Sequence, residues 1–425
     1  MTAEQFFHRL ADPLSRQPWR PDALAARLRA LLPTELAGLA HPIALQLCNR
    51  LKAPVGPPAA RIAAALREIP ECELPLKYAL KHGVLPAPDC DSAEFLPAHA
   101  FATAALPPLT SSDDLAFWLG LTPDQLTRFA DQLGLSNRTD NAFAPHYLFH
   151  TRPKRDGTLR LIEEPKPLLK RLQRRLLHGL LDAVPPSPHA YGFTPGRSCA
   201  EAASRHCGEA LVVSFDLRSF FPSITAPRVF GLFRTLGYPA DVARLLTGLC
   251  TLRTPSHIRQ KLGRNADPRY ANRHLPQGAP SSPALANLCA FGLDRRLAGL
   301  ARRLDATYSR YADDLTFSGD ADIGPPLLRA VPQIVREERF ALAPAKTRLS
   351  RAYQQQRVTG IVVNRHLNLP RRDFDRLKAE IHQLPRDAST DTLHRLMGRI
   401  AWVETLNPAK AARLRAQLDK RLSRP

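Results

Sequence analysis

No stretch of this sequence approaches the roughly 20 consecutive apolar residues needed to cross a bilayer. The opening Met1-Thr2-Ala3-Glu4-Gln5-Phe6-Phe7 also lacks a basic segment followed by an apolar one. Neither an exported nor a membrane-inserted chain is expected; the expected location is the cytoplasm. Cysteine is sparse and unpaired, with seven in 425 residues and no C-x-x-C spacing. That count disfavours a disulfide framework and a cysteine zinc site. Contexts such as Leu47-Cys48, Leu249-Cys250 and Leu288-Cys289 suit reduced thiols in apolar cores. Acids are outnumbered by bases. Against 60 Lys and Arg stand 39 Asp and Glu, a net charge of +21, and an excess of that size points to a polyanionic partner. A preference for Arg over Lys, with abundant Ala, Leu and Pro, also reflects compositional bias, but acids are plentiful enough that bias alone does not set the sign.

What is present is the composition of a globular protein, 44% hydrophobic and 23% charged, with length for two or more domains of roughly 100–200 residues. Three stretches concentrate the chemistry. Arg310-Tyr311-Ala312-Asp313-Asp314-Leu315-Thr316-Phe317-Ser318 alternates in strand fashion around two adjacent acids and reads as a hairpin with the acids at its bend. By itself the pair is equally a solvated Asp-Asp turn. Upstream, Ala210-Leu211-Val212-Val213-Ser214-Phe215-Asp216 reads as a buried strand that ends in a third acid. An acid closing one core strand and two at a hairpin bend form the donor set of a two-metal phosphoryl-transfer site, with two Mg2+ ions about 3.5–4 Å apart. Between them, Leu275-Pro276-Gln277-Gly278-Ala279-Pro280-Ser281-Ser282-Pro283 loosens the chain before a helix.

Phe-Asp followed after five residues by Pro-Ser, then Gln-Gly-Ala-Pro-Ser-Ser-Pro, then Tyr-Ala-Asp-Asp, in that order, resembles the palm of reverse transcriptases, and the flanks resemble the bacterial retron group. Val358-Thr359-Gly360 matches that group's Val-Thr-Gly motif. Its Asn-Ala-x-x-His element appears as Ala202-Ala203-Ser204-Arg205-His206, with Ala in the place of Asn. The resemblance covers about residues 107 to 425. It implies an α+β right-hand polymerase with fingers, a palm built on an antiparallel sheet and a helical thumb, divided as fingers and palm over 107–370 and thumb over 371–425. Residues 1–106 precede it as an all-α extension.

The same resemblance implies site residues. Asp216, Asp313 and Asp314 are the expected catalytic, metal-holding acids for two Mg2+ ions. Tyr147 to Ile162 has alternation on both sides of Asp156-Gly157, a hairpin carrying clustered cations. There Lys154 and Arg160 are assigned to the incoming triphosphate, with Arg152 and Arg155 as alternatives. Phe221 stands at the steric gate that excludes a 2′-hydroxyl, while Phe220 is expected to face the core. Gln277 helps to position the nucleotide, and Lys346 lies near the departing pyrophosphate as an acid or as a fixed charge. Arg197, in a Gly- and Arg-bearing loop, is assigned to RNA with His206, Val358, Thr359 and Gly360.

Elsewhere, residues 1 to about 105 read as Pro-cut amphipathic helices, namely 21–32, 34–51, 59–69 and 74–82. They serve either as a docking extension or as a scaffold. Pro167 to Leu181 reads as a basic amphipathic helix and Arg253 to His274 as a basic insert that reaches RNA or forms a loose loop. The expected function is RNA-directed DNA synthesis from deoxynucleoside triphosphates. A structured non-coding RNA serves as template and primer, the product is an RNA/DNA hybrid, no membrane is involved, and an antiphage role with an effector protein follows by family implication. Two other readings stay open: another bacterial reverse transcriptase, maturase-like or from a retron-related defence group, and a non-catalytic RNA-binding scaffold.

Overall fold

In the computed structural model the described residues are 2–15, 17–52, 57–82, 95, 97–98, 101, 103–131, 146–153, 159–263, 267–385 and 388–423. They group into two packed units, one of residues 1–185 with 221–289 and the other of 186–220 with 290–425. The division points anticipated at 106 and 370 each fall inside one of these units. Among the described residues no helix is long and apolar enough to cross a membrane.

The first unit opens with helices Ala3–Ser15, Pro21–Leu31, Ala40–Leu51, Ala59–Arg67 and Glu73–His82. Phe6, Leu10, Leu14, Leu24, Leu28, Ile43, Leu47, Ile62 and Leu66 close a core of their own. Their near-helical spacing turns one stripe of each helix inward. The sequence reading passed over the first helix, which carries Pro13 in its last turn. The single helix expected over 34–51 is a 3-10 turn, Thr34–Leu39, followed by an α-helix.

The expected hairpin forms from β1 (Tyr147–Pro153) and β2 (Leu159–Pro165), paired from Tyr147 with Pro165 to Pro153 with Leu159. Lys154 and Arg155 lie outside the described residues. Helix Pro167–Gly179 follows, burying Leu169, Leu172 and Leu176 and turning Arg171, Arg174 and Arg175 outward.

Within residues 253–274 the last two side chains are built inward. Arg273 donates to the carbonyls of Asp131 (2.6 Å) and Ala130 (3.3 Å) at one helix end and of Thr251 (2.9 Å) and Gly248 (3.3 Å) at another. One guanidinium therefore caps helices Pro123–Ala130 and Ala240–Cys250. His274 Nε2 lies 3.1 Å from the Glu163 carboxylate, to which Thr254 also donates at 2.6 Å, and both His274 and Glu163 are fully buried. A buried carboxylate persists only when its lone pairs are met, so this cluster ties β2 to the segment leading into Gln277. The Glu163 N–H donates to the Gln277 carbonyl at 2.9 Å. Gly278, at φ 138°, runs so close that a Cβ would stand 3.0 Å from the Glu163 oxygen.

The second unit is organised on a four-stranded antiparallel sheet of β3 (Leu211–Asp216), β4 (Thr307–Tyr311), β5 (Asp314–Gly319) and β6 (Arg348–Arg351), in the order β4-β5-β3-β6. The central β3 is apolar because both its faces are covered: Leu211, Val212, Val213 and Phe215 are all buried. The segment 189–191 bonds along the outer side of β4, with Arg310 N to His189 O and Tyr191 N to Arg310 O both 2.8 Å. A short hairpin of β7 (Arg357–Val358) and β8 (Ile361–Val362) packs with helix Cys199–Ser204. Helices Arg371–His382, Thr390–Leu406 and Pro408–Leu422 form a bundle around Leu377, Ile381, Leu396, Ile400, Val403, Leu414 and Leu418.

Two glycines give opposite expectations for stability. A Cβ on Gly248 would stand 2.2 Å from the Ala130 carbonyl oxygen, whereas one on Gly231, inside helix Ala226–Thr235, meets nothing within 4 Å. In denaturant unfolding, Gly248→Ala is expected to lose about 1–3 kcal/mol through overpacking against backbone. Gly231→Ala should gain about 0.5–1 kcal/mol from helix propensity.

Candidate active site

Three acids stand at one end of the sheet. β3 ends in Asp216, β5 begins at Asp314, and the antiparallel register sets these two residues opposite each other. Tyr311 pairs with Asp314 across a two-residue loop of Ala312 and Asp313. Aromatic packing below makes the strand ends stiff: Phe317 lies 4.9 Å from Tyr308 and 6.0 Å, edge-on, from Phe215. The loop is bound to β3 by the Leu217 N–H, which donates to the Asp313 carbonyl at 2.8 Å. Ala312 sits at φ 55°, in the left-handed region where a side chain costs about 1–2 kcal/mol. Gly192 lies against this loop, and a Cβ on it would be 2.6 Å from the Ala312 nitrogen.

Lys346, at the end of a 3-10 turn Pro344–Lys346, donates from Nζ to both carboxylate oxygens of Asp216, each at 2.9 Å. Its side chain is 59% exposed and that of Asp216 13%, so the ammonium reaches the acid from the solvent side. Desolvation works against the ammonium charge, but the bond to Asp216 and the negative charge of all three acids outweigh it and raise its pKa. The Asp314 pKa is raised as well, which for an acid disfavours the charged form. Although the residue is solvent-exposed, its carboxyl is pushed up to about 6, first by loss of solvation at the crowded sheet end, then by Asp313 and Asp216, with Lys346 and Arg348 opposing.

Among the described residues no three His, Cys, Asp or Glu side chains converge into a ready-made metal cage. The chemistry of the donor set nevertheless fits divalent cations. Hard oxygen donors crowd together, one resists ionising, and a lysine ammonium already holds both oxygens of another, as a stand-in for positive charge.

The other anticipated residues divide between the units. Arg160 is exposed on β2, directly across from Arg152, so the two cations share one face of the hairpin. Phe220 is buried at 4%, its ring 5.9 Å from Phe340, and Phe221 is half-buried. The pair divides inward and outward as expected, but on a single helical turn, Phe220–Ser223, and not at a strand end. Gln277 is half-buried. Arg160, Phe221 and Gln277 belong to the first unit, the acids and Lys346 to the second.

Of the residues assigned to RNA, His206 and Val358 are buried. His206 is fully enclosed, with Nδ1 2.7 Å from Ser318 Oγ and Nε2 2.7 Å from Ser309 Oγ. Burial, with a smaller push from Arg205, lowers its pKa to about 3, so it is a neutral clasp on β4 and β5 with no edge left for RNA. Val358, 2% exposed, is a core side chain. Thr359 (φ 50°) and Gly360 (φ 86°) form the two-residue turn between β7 and β8, the positive-φ pair of a tight hairpin. Thr359 Oγ1 is 3.1 Å from the Cys199 carbonyl and 2.7 Å from its neighbour's. Arg197 is bonded to the Pro188 (2.5 Å) and Ala190 (3.3 Å) carbonyls and stacks 4.7 Å above Tyr191.

Sequence reasoning passed over Asp294, Tyr308 and Arg310, which form a buried polar network next to the acids. The available signal was a charged residue inside a strand whose flanks are aromatic.

Residues 152–363 match the family model described as reverse transcriptase (RNA-dependent DNA polymerase). The retron Mx65 reverse transcriptase of Myxococcus xanthus is 42% identical over 327 residues, spanning 76% of this chain and 74% of that protein. The chain belongs to the retron reverse transcriptases. The retron Mx162 enzyme of the same organism is 38% identical, covering 73% of this chain and 67% of its own length. The retron Ec86 enzyme of Escherichia coli is 33% identical, with 62% and 76% covered. A telomerase structure from Candida albicans aligns with a TM-score of only 0.37 at 10% identity, over 63% of this chain and 56% of that one. This reverse transcriptase is therefore an RNA-directed DNA polymerase of right-hand fold that depends on a divalent metal ion.

The crowding at Asp314 gives a stability prediction for the metal-free enzyme. A carboxyl whose folded pKa is raised above its ordinary 3.8 to about 6 favours folding fully below 3.8 and loses that contribution as the pH rises through 6. Asp314→Asn is therefore expected to raise Tm above pH 6 in the presence of a chelator. The gain should shrink below pH 6 and vanish near pH 4 in thermal scans across that range.

Proposed function

We propose that this enzyme makes RNA-linked single-stranded DNA from a structured non-coding RNA that supplies both template and primer. The observation that carries the reading is the register setting Asp216 opposite Asp314, with Asp313 at the adjoining turn. Asp216, Asp313 and Asp314 are assigned as the catalytic acids and as holders of two Mg2+ ions. When bound, those ions would neutralise phosphate charge and make the primer hydroxyl a better nucleophile. The chain's own residues do the rest. The carboxylates fix where positive charge gathers. Lys346 Nζ, bonded to Asp216 in the free protein, is available to the leaving pyrophosphate once that carboxylate is otherwise engaged, either as proton donor or as fixed charge.

Arg160, with Lys154, is assigned to the triphosphate, where a guanidinium fork suits bidentate phosphate binding. Phe221 presents a partly exposed ring next to a buried one, the disposition a steric gate against a 2′-hydroxyl requires, and Gln277 is assigned to positioning the nucleotide. In the vocabulary of polymerases, the four-stranded sheet serves as palm, the β1–β2 hairpin belongs to the fingers, and the bundle after residue 370 is the thumb. For RNA, the Thr359-Gly360 turn and Arg197 remain the candidate contacts, with Val358 supporting the turn from within. The biological role proposed is antiphage defence with a separate effector protein.

Two measurements test this. Asp313→Asn combined with Asp314→Asn is expected to abolish incorporation of labelled deoxynucleotides while leaving RNA affinity within about twofold, since neither acid is needed to hold the polyanion. Undiminished synthesis by that variant defeats the mechanism. Nucleic acid extracted from the protein purified out of its native host should contain a discrete DNA that shortens on RNase treatment. Unbranched DNA would instead favour another reverse-transcriptase group, and RNA alone a binding scaffold.

A further inference from the structure

Beneath the turn that carries Asp313 and Asp314 lies an ion pair with no contact to solvent. Arg310 on β4 and Asp294 on helix Phe291–Arg303 are both fully buried. Arg310 Nε donates to one carboxylate oxygen of Asp294 and Nη2 to the other, each at 2.7 Å. The Tyr308 hydroxyl donates to the first of these oxygens at 2.9 Å. This two-point grip fixes the plane of the guanidinium and leaves Nη1 directed at the loop, where it donates to the Ala312 carbonyl at 3.2 Å.

That carbonyl belongs to a residue held in the left-handed backbone region, an alanine at φ 55°. The loop must hold this conformation while two neighbouring acids repel each other and Asp216 from the adjacent strand. A buried ion pair is in general no better for stability than well-packed apolar side chains of similar volume. Its presence directly under the acids therefore calls for a role that apolar groups do not fill, and donating to a turn carbonyl is one.

We propose that Arg310 is a positioning residue for the paired acids: gripped by Asp294, it fixes the Ala312 carbonyl and with it the turn that presents Asp313 and Asp314. The proposal rests on the reading of those acids as catalytic. Lysine is not a substitute, because one ammonium on a flexible stem does not span a carboxylate and a carbonyl as a planar fork does.

The experiment compares Arg310→Lys with Tyr308→Phe in the full chain. Tyr308→Phe removes one bond to Asp294 and leaves the guanidinium fork in place. For Arg310→Lys, amide exchange at residues 312–315 of the metal-free protein should quicken. Its kcat should fall about 10- to 100-fold, as for a displaced reacting group, with KM for deoxynucleotide and affinity for RNA nearly unchanged. For Tyr308→Phe, loop exchange should match wild type and kcat should stay within about threefold. Wild-type exchange and kcat in Arg310→Lys overturn the proposal. So do equal losses in both variants, which would mean general loosening of the core. If the lysine variant does not accumulate as folded protein, Asp294→Asn, which keeps the volume and removes the charge that grips the fork, is judged by the same criteria. The double variant of Asp313 and Asp314 runs alongside. Synthesis by that variant defeats the catalytic reading separately, and the exchange data then judge the role of Arg310 alone.

Discussion

Repulsion among three carboxylates at one end of a short sheet is the constraint around which the second unit is built. Left alone, the acids would spread apart or take up protons, and the Asp314 carboxyl is raised first by lost solvation and then by Asp313 and Asp216. The chain opposes it with stiff supports. Strand β3 is buried along its length, the aromatic pairs of Phe317 lock the hairpin beneath the acids, and Leu217 ties the Asp313 carbonyl to the neighbouring strand. Lys346 supplies the positive charge that the free protein needs at Asp216. Such crowding of negative charge is unfavourable for the protein by itself and is relieved by added positive charge.

A second theme is the use of buried polar groups as pins between elements distant in sequence. Glu163 gathers Thr254 and His274 and so fixes the course of the chain into Gln277. Arg273 caps two helices with one guanidinium. His206 bridges two strands through Ser309 and Ser318. Each group would be costly if left unpartnered, and each is satisfied only when its partners arrive in one arrangement. Apolar packing alone is tolerant of small shifts; these networks are not.

The acids, the Gln277 segment and the hairpin of β1 and β2 were legible because their signals are local. Alternation, an Asp-Gly or Asp-Asp bend and a Pro-Gly-Ser loosening are written within about ten residues of chain. His206 was misread for the opposite reason. A histidine after a short helix looks the same in sequence whether it faces solvent or two serines more than 100 positions away. Val358-Thr359-Gly360 was found as a motif, but its division into a buried anchor and a positive-φ turn depends on the strands that flank it. In the basic insert, likewise, a sum of charges does not reveal that Arg273 is spent on helix ends.

The sequence by itself determined the enzyme class, through its ordered motifs, and the place of three acids at a strand end and a bend, because short-range patterning sets each of those local elements. Only the tertiary structure decided which cation meets which acid, that Asp216 faces Lys346, that Asp314 resists ionisation and that Arg310 lies beneath the turn. Those outcomes depend on distances between segments brought together by folding. Coulomb energies and hydrogen bonds change steeply over a few ångströms, and linear spacing does not encode them.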